Sequence, residues 1–445
     1  MPRSSAFRTL AFVSLLAFTT AAAAEPRWWK GNLHTHSLWS DGDDYPEMIA
    51  AWYKEHGYHF LALSDHNVMQ AGTRWLALKQ PVSLAGDVQF RGGGPVLERY
   101  LARFGTAWVE QRTVDGVAEV RLKPLEEYRR LFEEPGRFLM IPSTEVSQSR
   151  TRQPDGTWRG AAVHINVTNP AELVAKSTAA DTVTIIQETV DAVFAQRART
   201  GQPMFPHINH PNFQWGITPE ELVQIRGEQF FEVYNGHAQV HNDGDATHAS
   251  MDRLWDLMLT RRLEELHLPP MFGIAVDDSH HYQQFALGKQ NPGRGWVMVR
   301  APFLTPESIV ATMEAGDFYA STGVTLSDVR REKNALSLTI AAEPGVTYTT
   351  CFIGTKRGYD PRHEPMPNAE DAARGTKPHH RYSADIGRVL ATAEGATARY
   401  TLAPDDLYVR AKIVSSKRKE NGSTAEEFET AWTQPVIGAS RPTSP

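Results

Sequence analysis

Cysteine is nearly missing: Cys351 is the only one in 445 residues. One thiol excludes an intramolecular disulfide, so covalent stapling plays no part in this fold. Clusters of positive charge are also scarce. The net charge is −6, and the short basic run Lys417-Arg418-Lys419 meets Glu420 at once. A nucleic-acid surface needs grouped lysine and arginine to face phosphates, so no nucleic-acid partner is expected. No Gly-x-Ser-x-Gly turn occurs, and the lone cysteine lies in a β-patterned stretch near the C-terminus. Neither serine nor cysteine nucleophilic catalysis is therefore indicated. No internal repeat and no low-complexity tract follows residue 24.

A long apolar run is lacking as well. The mostly apolar stretch at residues 10–17 is too short for a membrane-spanning helix. It follows Arg3 and Arg8 and leads to an alanine tract at residues 21–24 that ends abruptly at Glu25. A positive n-region, a short h-region and an Ala-x-Ala site predict a secretory signal over residues 1–24, with a mature start near Glu25. The expected location is the periplasm or the medium. No cysteine stands at the expected mature start, so a lipid anchor is unsupported and no stable membrane anchor is expected. The remainder, in a chain 41% hydrophobic and 22% charged, is that of a soluble globular protein with two or three domains.

From Trp28 to Asp328 short apolar runs alternate with helical patterns. The runs fall at 60–63, 138–141, 161–167, 204–205, 230–234, 271–276 and 296–299; helices are expected at 46–56, 183–199, 219–226, 246–266 and 306–315. Thr218-Pro219-Glu220-Glu221 and Thr305-Pro306-Glu307 carry cap, first-turn proline and early acid, the start signals of helices. The alternation predicts an α/β domain over residues 25–328 with a parallel sheet, open or closed into a barrel. Residues 69–127 break the rhythm and read as an insertion, a helix followed by a hairpin, placed over the mouth of a site. Beyond Val329 the pattern turns to short strands separated by polar, Pro/Gly-containing loops. That change predicts a small all-β, sandwich-like domain over 329–445. His363, His379 and His380 fall in its loops and are expected to be exposed.

The first domain ends its apolar runs in metal-ligand chemistry. Gly31-Asn32-Leu33-His34-Thr35-His36 places two imidazoles on one face of an extended chain, and Asp41 follows five residues later. Ser64-Asp65-His66-Asn67 closes the next run. Then come Thr144-Glu145, Val163-His164-Ile165, His207-Ile208-Asn209-His210-Pro211 and Asp277-Asp278-Ser279-His280-His281. Functional groups of parallel α/β folds gather at the carboxyl ends of strands. Six successive strand ends bearing His, Asp or Glu are hard to explain by packing, because buried ionisable groups are costly unless paired or metal-bound. The doublets at 277–278 and 280–281 leave the register open by one residue, and His207 competes with His210.

Together these motifs resemble the PHP (polymerase and histidinol phosphatase) metallohydrolases. More narrowly, Phe231-Glu232-Val233-Tyr234-Asn235-Gly236, Gly295-Trp296-Val297 and Phe318-Tyr319-Ala320-Ser321-Thr322-Gly323 resemble exported bacterial branches grouped with carbaryl-type (carbamate) hydrolases. The resemblance implies a distorted (β/α)7 barrel and two or three divalent ions: zinc, manganese or iron. It implies one metal on His34, His36, Glu145 and Asp278, and a second shared by Glu145, His164 and His210. Asp41, His66 and His280 would hold a third or close the site; Asp65 would orient an imidazole. The activity implied is hydrolysis by a metal-bridged hydroxide, with a small phosphate ester as the leading substrate class. Asp41, His207 and Asp277 are the candidates to protonate a leaving alcohol, and Arg294 is the candidate clamp for an anionic substrate. A carbamate or ester hydrolase with the same centre is the alternative enzyme. A PHP-like scaffold that binds a partner is the non-enzyme alternative.

Overall fold

The computed structural model describes residues 24–78, 82–84, 87–89 and 92–439; the expected signal therefore lies almost wholly outside the described residues. The first half is built from strands β1 (Arg27–Asn32), β2 (Phe60–Leu61), β3 (Leu139–Met140), β4 (Ser143–Gln148), β5 (Val163–Thr168), β6 (Phe205–Ile208), β7 (Phe230–Asn235), β8 (Phe272–Val276), β9 (Trp296–Ala301) and β10 (Phe318–Ser321). Its main helices are α1 (Pro46–Glu55), α2 (Thr182–Thr200), α3 (Met251–Thr260) and α4 (Pro306–Glu314).

Helix starts follow the local chemistry. Thr218 and Glu221 form the reciprocal capping box, but that helix stops after Pro219–Leu222. Thr305 caps α4 by accepting from Ser308 N. The insertion forms a helix, Pro95–Phe104, then a hairpin of Gln111–Val114 and Val117–Leu122 turned by Asp115-Gly116. Tyr100 and Trp108 within it donate to the buried Glu47 of α1, so they pack the insertion down.

Two sheets carry the site, and neither is simply parallel. In one, β9-β1-β2-β3 runs in that order, with β1, β2 and β3 parallel and β9 antiparallel to β1. In the other, the order is β8-β7-β6-β5-β4; β6, β7 and β8 are parallel, whereas β5 is antiparallel to both neighbours. The architecture is mixed α/β. Among the described residues no continuous ladder joins the two sheets, so the backbone hydrogen bonding does not close into a barrel. Only isolated bridges span the gap, Thr35 with Ser279 and His66 with Glu145. The interior between the sheets is apolar, with Trp29, Phe60, Phe205, Phe230, Ile274 and Val297 among its buried residues.

The C-terminal strands are β11 (Leu326–Glu332), β12 (Ala335–Ile340), β13 (Tyr348–Lys356), β14 (Arg388–Glu394), β15 (Thr397–Thr401), β16 (Asp406–Arg418) and β17 (Phe428–Thr433). They are not segregated from the first half. β17 pairs with β10, so one ten-stranded sheet runs from β14 through β13, β16, β17 and β10 to the β9-β1-β2-β3 set, with the short strand Val436–Ile437 as its tenth member on β16. Arg410 on β16 reinforces the junction: it is fully buried and grips Asp256 of α3 with two nitrogens, at 2.9 and 2.7 Å. One short helix, Ala369–Arg374, interrupts the β pattern. It brings Asp371 against His248 at 3.0 Å. The loop that follows buries His379 beside the His248 ring rather than exposing it.

Candidate metal centre

Most residues of the centre come from strand ends and the turns beyond them, but Glu145 lies inside β4 and His164 near the amino end of β5, which runs antiparallel to its neighbours, so these two are not at carboxyl strand ends. His34 and His36 continue past β1, with His36 N–H tied to Ser279 O at 2.9 Å. The 37–42 turn closes by Gly42 N donating to Ser37 O; a Cβ on Gly42 would lie 2.5 Å from His36 O, so only glycine fits. Asn67, His210 and Asp278 all have positive φ (54°, 21° and 48°). Such backbone costs free energy for residues other than glycine and tends to gather where function over-determines it.

Four ligand atoms converge at the centre. His34 Nε2 and His36 Nε2 are 3.1 Å apart. Asp278 Oδ1 is 3.2 and 3.1 Å from them, and Glu145 Oε2 is 3.5 and 3.4 Å from them. Ligands about 2.0–2.1 Å from a tetrahedral cation would be separated by about 3.3 Å. Around the other face of Glu145, Oε1 lies 2.9 Å from His164 Nδ1 and 3.7 Å from His210 Nε2. Asp41 Oδ1 lies 3.3 Å from His280 Nε2 and its Oδ2 3.5 Å from His66 Nε2. The Nδ1 of His36 faces that carboxylate at 3.8 Å.

Glu145 Oε2 is buried and makes no hydrogen bond, although His66 Nδ1 stands 2.7 Å away. His164 Nδ1 is likewise buried without a hydrogen bond. Close approach without donor geometry is what lone pairs aimed at shared cations produce, and the donor set suits divalent ions. The groups also set each other's protonation. Burial alone would raise the Glu145 carboxyl, but the imidazoles of His66, His34 and His164 outweigh it and hold the carboxyl well below its usual range. Burial, then His280 and His66, push His36 down to about 4, leaving it a neutral ligand.

No protein-family model and no curated protein matches this sequence. Among solved structures, the chain is similar to a two-domain protein containing a predicted PHP-like metal-dependent phosphoesterase from Bacteroides vulgatus. The two are 13% identical, with 92% of this chain and 95% of that one covered and a TM-score of 0.37.

The structure thus brings His34, His36, Asp41, His66, Glu145, His164, His210, Asp278 and His280 together. It places Asp277 and Arg294 elsewhere and keeps His207 beside His34, behind the exposed rim. Asp277 points away from its neighbour Asp278 and is buried, accepting from Tyr53 OH and from the backbone N–H groups of Gly293, Arg294 and Gly295. Its role is to hold that loop, and it cannot reach a leaving group. Arg294 is fully buried, and Nε, Nη1 and Nη2 donate to Asn421 O, Gly236 O and Ala286 O. An arginine committed in this way does not clamp a substrate. His207 is also fully buried, with Nε2 3.4 Å from Glu232, which removes it as a proton donor to substrate. Asp65 holds the 37–40 turn instead of an imidazole, accepting from Ser37 N and Oγ, Ser40 Oγ and Gln70 Nε2.

Two neighbours escaped the sequence reading. Glu232 is buried in β7 and takes His34 Nδ1–H at 2.6 Å. An acid inside Phe230-Phe231-Glu232-Val233-Tyr234 was the available signal, since a carboxylate in an apolar strand demands partners. His237 lies at the rim, its ring 5.4 Å from that of His280. Its Nδ1 accepts from Gln239 N at 3.1 Å, which places the proton of the neutral ring on Nε2.

Proposed function

We propose that the protein is an exported metal-dependent hydrolase, with small phosphate esters as its substrate class. The observation that carries this reading is the buried Glu145 Oε2, ringed by imidazole nitrogens yet without a hydrogen bond. His34, His36, Glu145 and Asp278 would hold one cation, and Glu145, His164 and His210 a second. Asp41, His66 and His280 complete the set. Divalent ions at such a centre supply an activated water and stabilise charge developing on a phosphoryl or acyl oxygen.

The remaining roles belong to the chain. His34, His36 and Glu145 are sealed from solvent, whereas the side chains of Asp41, His66, His164 and His280 are 44%, 24%, 14% and 13% exposed. Substrate therefore arrives on the Asp41–His66–His280 side. Asp41 is held as a carboxylate there: burial opposes ionisation, but His280, His36 and His66 overcome it. The Nε2–H of His237 is a donor at the same rim, suited to a leaving or phosphoryl oxygen.

The commitment of Arg294 to backbone carbonyls favours a second reading, hydrolysis of neutral carbamates or esters by the same centre. The rim beside His237 is in addition aromatic, through Phe213. Metal analysis followed by a screen of phosphate monoesters, diesters and aryl carbamates separates the two. Turnover of carbamates with phosphate esters untouched would replace the first reading by the second, and a metal-free, inert protein would leave a binding scaffold.

Three further points belong to this proposal. The facing sheets are read as the opened halves of a distorted PHP-like barrel. The β-rich stretch after Val329 is read as a second unit that shares one continuous sheet with the first. Export is tested by the first residue of the recovered protein, Glu25. Among the described residues no helix is long and apolar enough to cross a membrane.

A further inference from the structure

Three of the centre's ligands converge, one layer back, on a single carboxylate. Glu232 lies in the middle of β7 and is fully buried. Its Oε1 accepts from His34 Nδ1 at 2.6 Å. Its Oε2 accepts from the backbone N–H of His210 at 2.7 Å and from Asn235 Nδ2 at 2.8 Å. The same Asn235 nitrogen reaches Asp278 Oδ2 at 3.1 Å. One side chain is thereby connected to His34, His210 and Asp278.

Each link fixes a different property of a ligand. The contact to His34 holds the proton on Nδ1 and leaves the Nε2 lone pair facing His36 and Asp278; an imidazole's orientation and basicity are set this way by the partner of its other nitrogen. The contact to His210 N secures a residue whose φ of 21° is strained for a side chain larger than glycine. The contact through Asn235 fixes which way Asp278 turns. Asn235 cannot reverse its amide to help, because its Oδ1 accepts from His237 N at 2.8 Å. We propose that Glu232 is the positioning residue of the metal centre, and that only a carboxylate can serve there. This rests on the metal-dependent reading above.

The chemistry of the three partners explains the need for a charge. His34 Nδ1–H, His210 N–H and Asn235 Nδ2–H are all donors, divided between the two oxygens of Glu232. Glutamine offers one acceptor and one donor. In either orientation its NH2 group meets donors, at His34 or at His210 and Asn235. Glu232→Gln is nearly isosteric, so it tests hydrogen-bond polarity rather than volume.

Cobalt(II) is the probe, because its visible absorption reports ligand geometry directly. In the full-length protein stripped of metal, Glu232→Gln should weaken cobalt affinity by about 10- to 100-fold and shift the visible bands. Circular dichroism should remain that of the unsubstituted protein. If Glu232→Gln does not fold, Asn235→Ala carries the test: it spares the His34 contact and cuts the link to Asp278, and should lower cobalt affinity about 10-fold with altered bands. A folded Glu232→Gln, or failing that Asn235→Ala, with unchanged affinity and spectrum overturns the inference while the metal reading stands. An unsubstituted protein that binds no cobalt, zinc or manganese overturns both.

Discussion

Replacing Glu145 by glutamine changes one atom at the point where the proposed metal sites meet. The orientation of the new amide is set by its surroundings. Asn209 Nδ2 donates to Glu145 Oε1 at 2.7 Å, and Asn209 itself is locked because its Oδ1 accepts from Asn166 N at 3.1 Å. The glutamine oxygen must therefore keep the Oε1 position. Its NH2 then takes the place of Oε2, facing His36 Nε2 at 3.4 Å and His34 Nε2 at 3.5 Å. Those lone pairs would be occupied by N–H donors instead of by a cation. The loss of a unit charge about 4 Å from another is worth on the order of 4 kcal/mol at an effective dielectric of about 20. That corresponds to roughly a thousand-fold in affinity. Equilibrium dialysis against buffered zinc or manganese, with metal analysis of the retained protein, reads the loss of bound metal. Hydrolysis of an aryl phosphate by the same samples reads the consequence. Glu145→Gln protein that keeps its full metal content and rate would show that another carboxylate joins the sites, and the reasoning would fail.

Arg410→Ala should destabilise the protein by about 3–5 kcal/mol in urea denaturation, because Asp256 is left buried without its partner; a change below about 1 kcal/mol would mean that the junction relaxes freely. Burial pushes the Glu228 carboxyl up to about 8 against the pull of the Phe230 and Gln229 N–H groups. Its folded pKa lies above its ordinary 4.5, so its contribution is complete below that value and is lost as pH rises towards about 8. Glu228→Gln should flatten the decline in stability over that window, and an unchanged pH profile of the denaturation midpoint would refute it. Removing metal with a chelator at neutral pH should lower the melting temperature, and adding zinc back should restore it. A melting curve indifferent to verified removal would separate the centre from stability.

Much of the centre was legible before any coordinates, for a simple reason. Strand ends place their side chains at predictable positions, and His34-x-His36 and His66 stand just past one; Glu145, inside β4, and His164, at the start of antiparallel β5, were found by residue type rather than by position. Helix starts were legible too, since Thr218 and Thr305 act on the next few residues alone. The insertion's helix and hairpin followed from local signals at Pro95 and Asp115-Gly116.

What the sequence determined by itself was an inventory: most of the apolar runs that become strands, though not β4 or β10, the ligand types near them, and several of the turns and caps that bound them. These depend on near neighbours and on a period of two. The family resemblance had chosen Asp278 over Asp277; tertiary structure supplied the physical reason why that member faces the centre. Asp277 and Asp278 are chemically alike, and only the pairing of β8 and the approach of the 293–295 loop turn one outward and the other to the centre. The same holds for Arg294, whose fate was set by carbonyls from 236, 286 and 421. Glu232 acquired its role from His34, almost two hundred residues away. The pairing of β17 with β10, which carries one sheet across Val329, is also a contact between distant segments. Local propensity cannot encode such contacts, because they come from long-range pairing and burial rather than from adjacent residues.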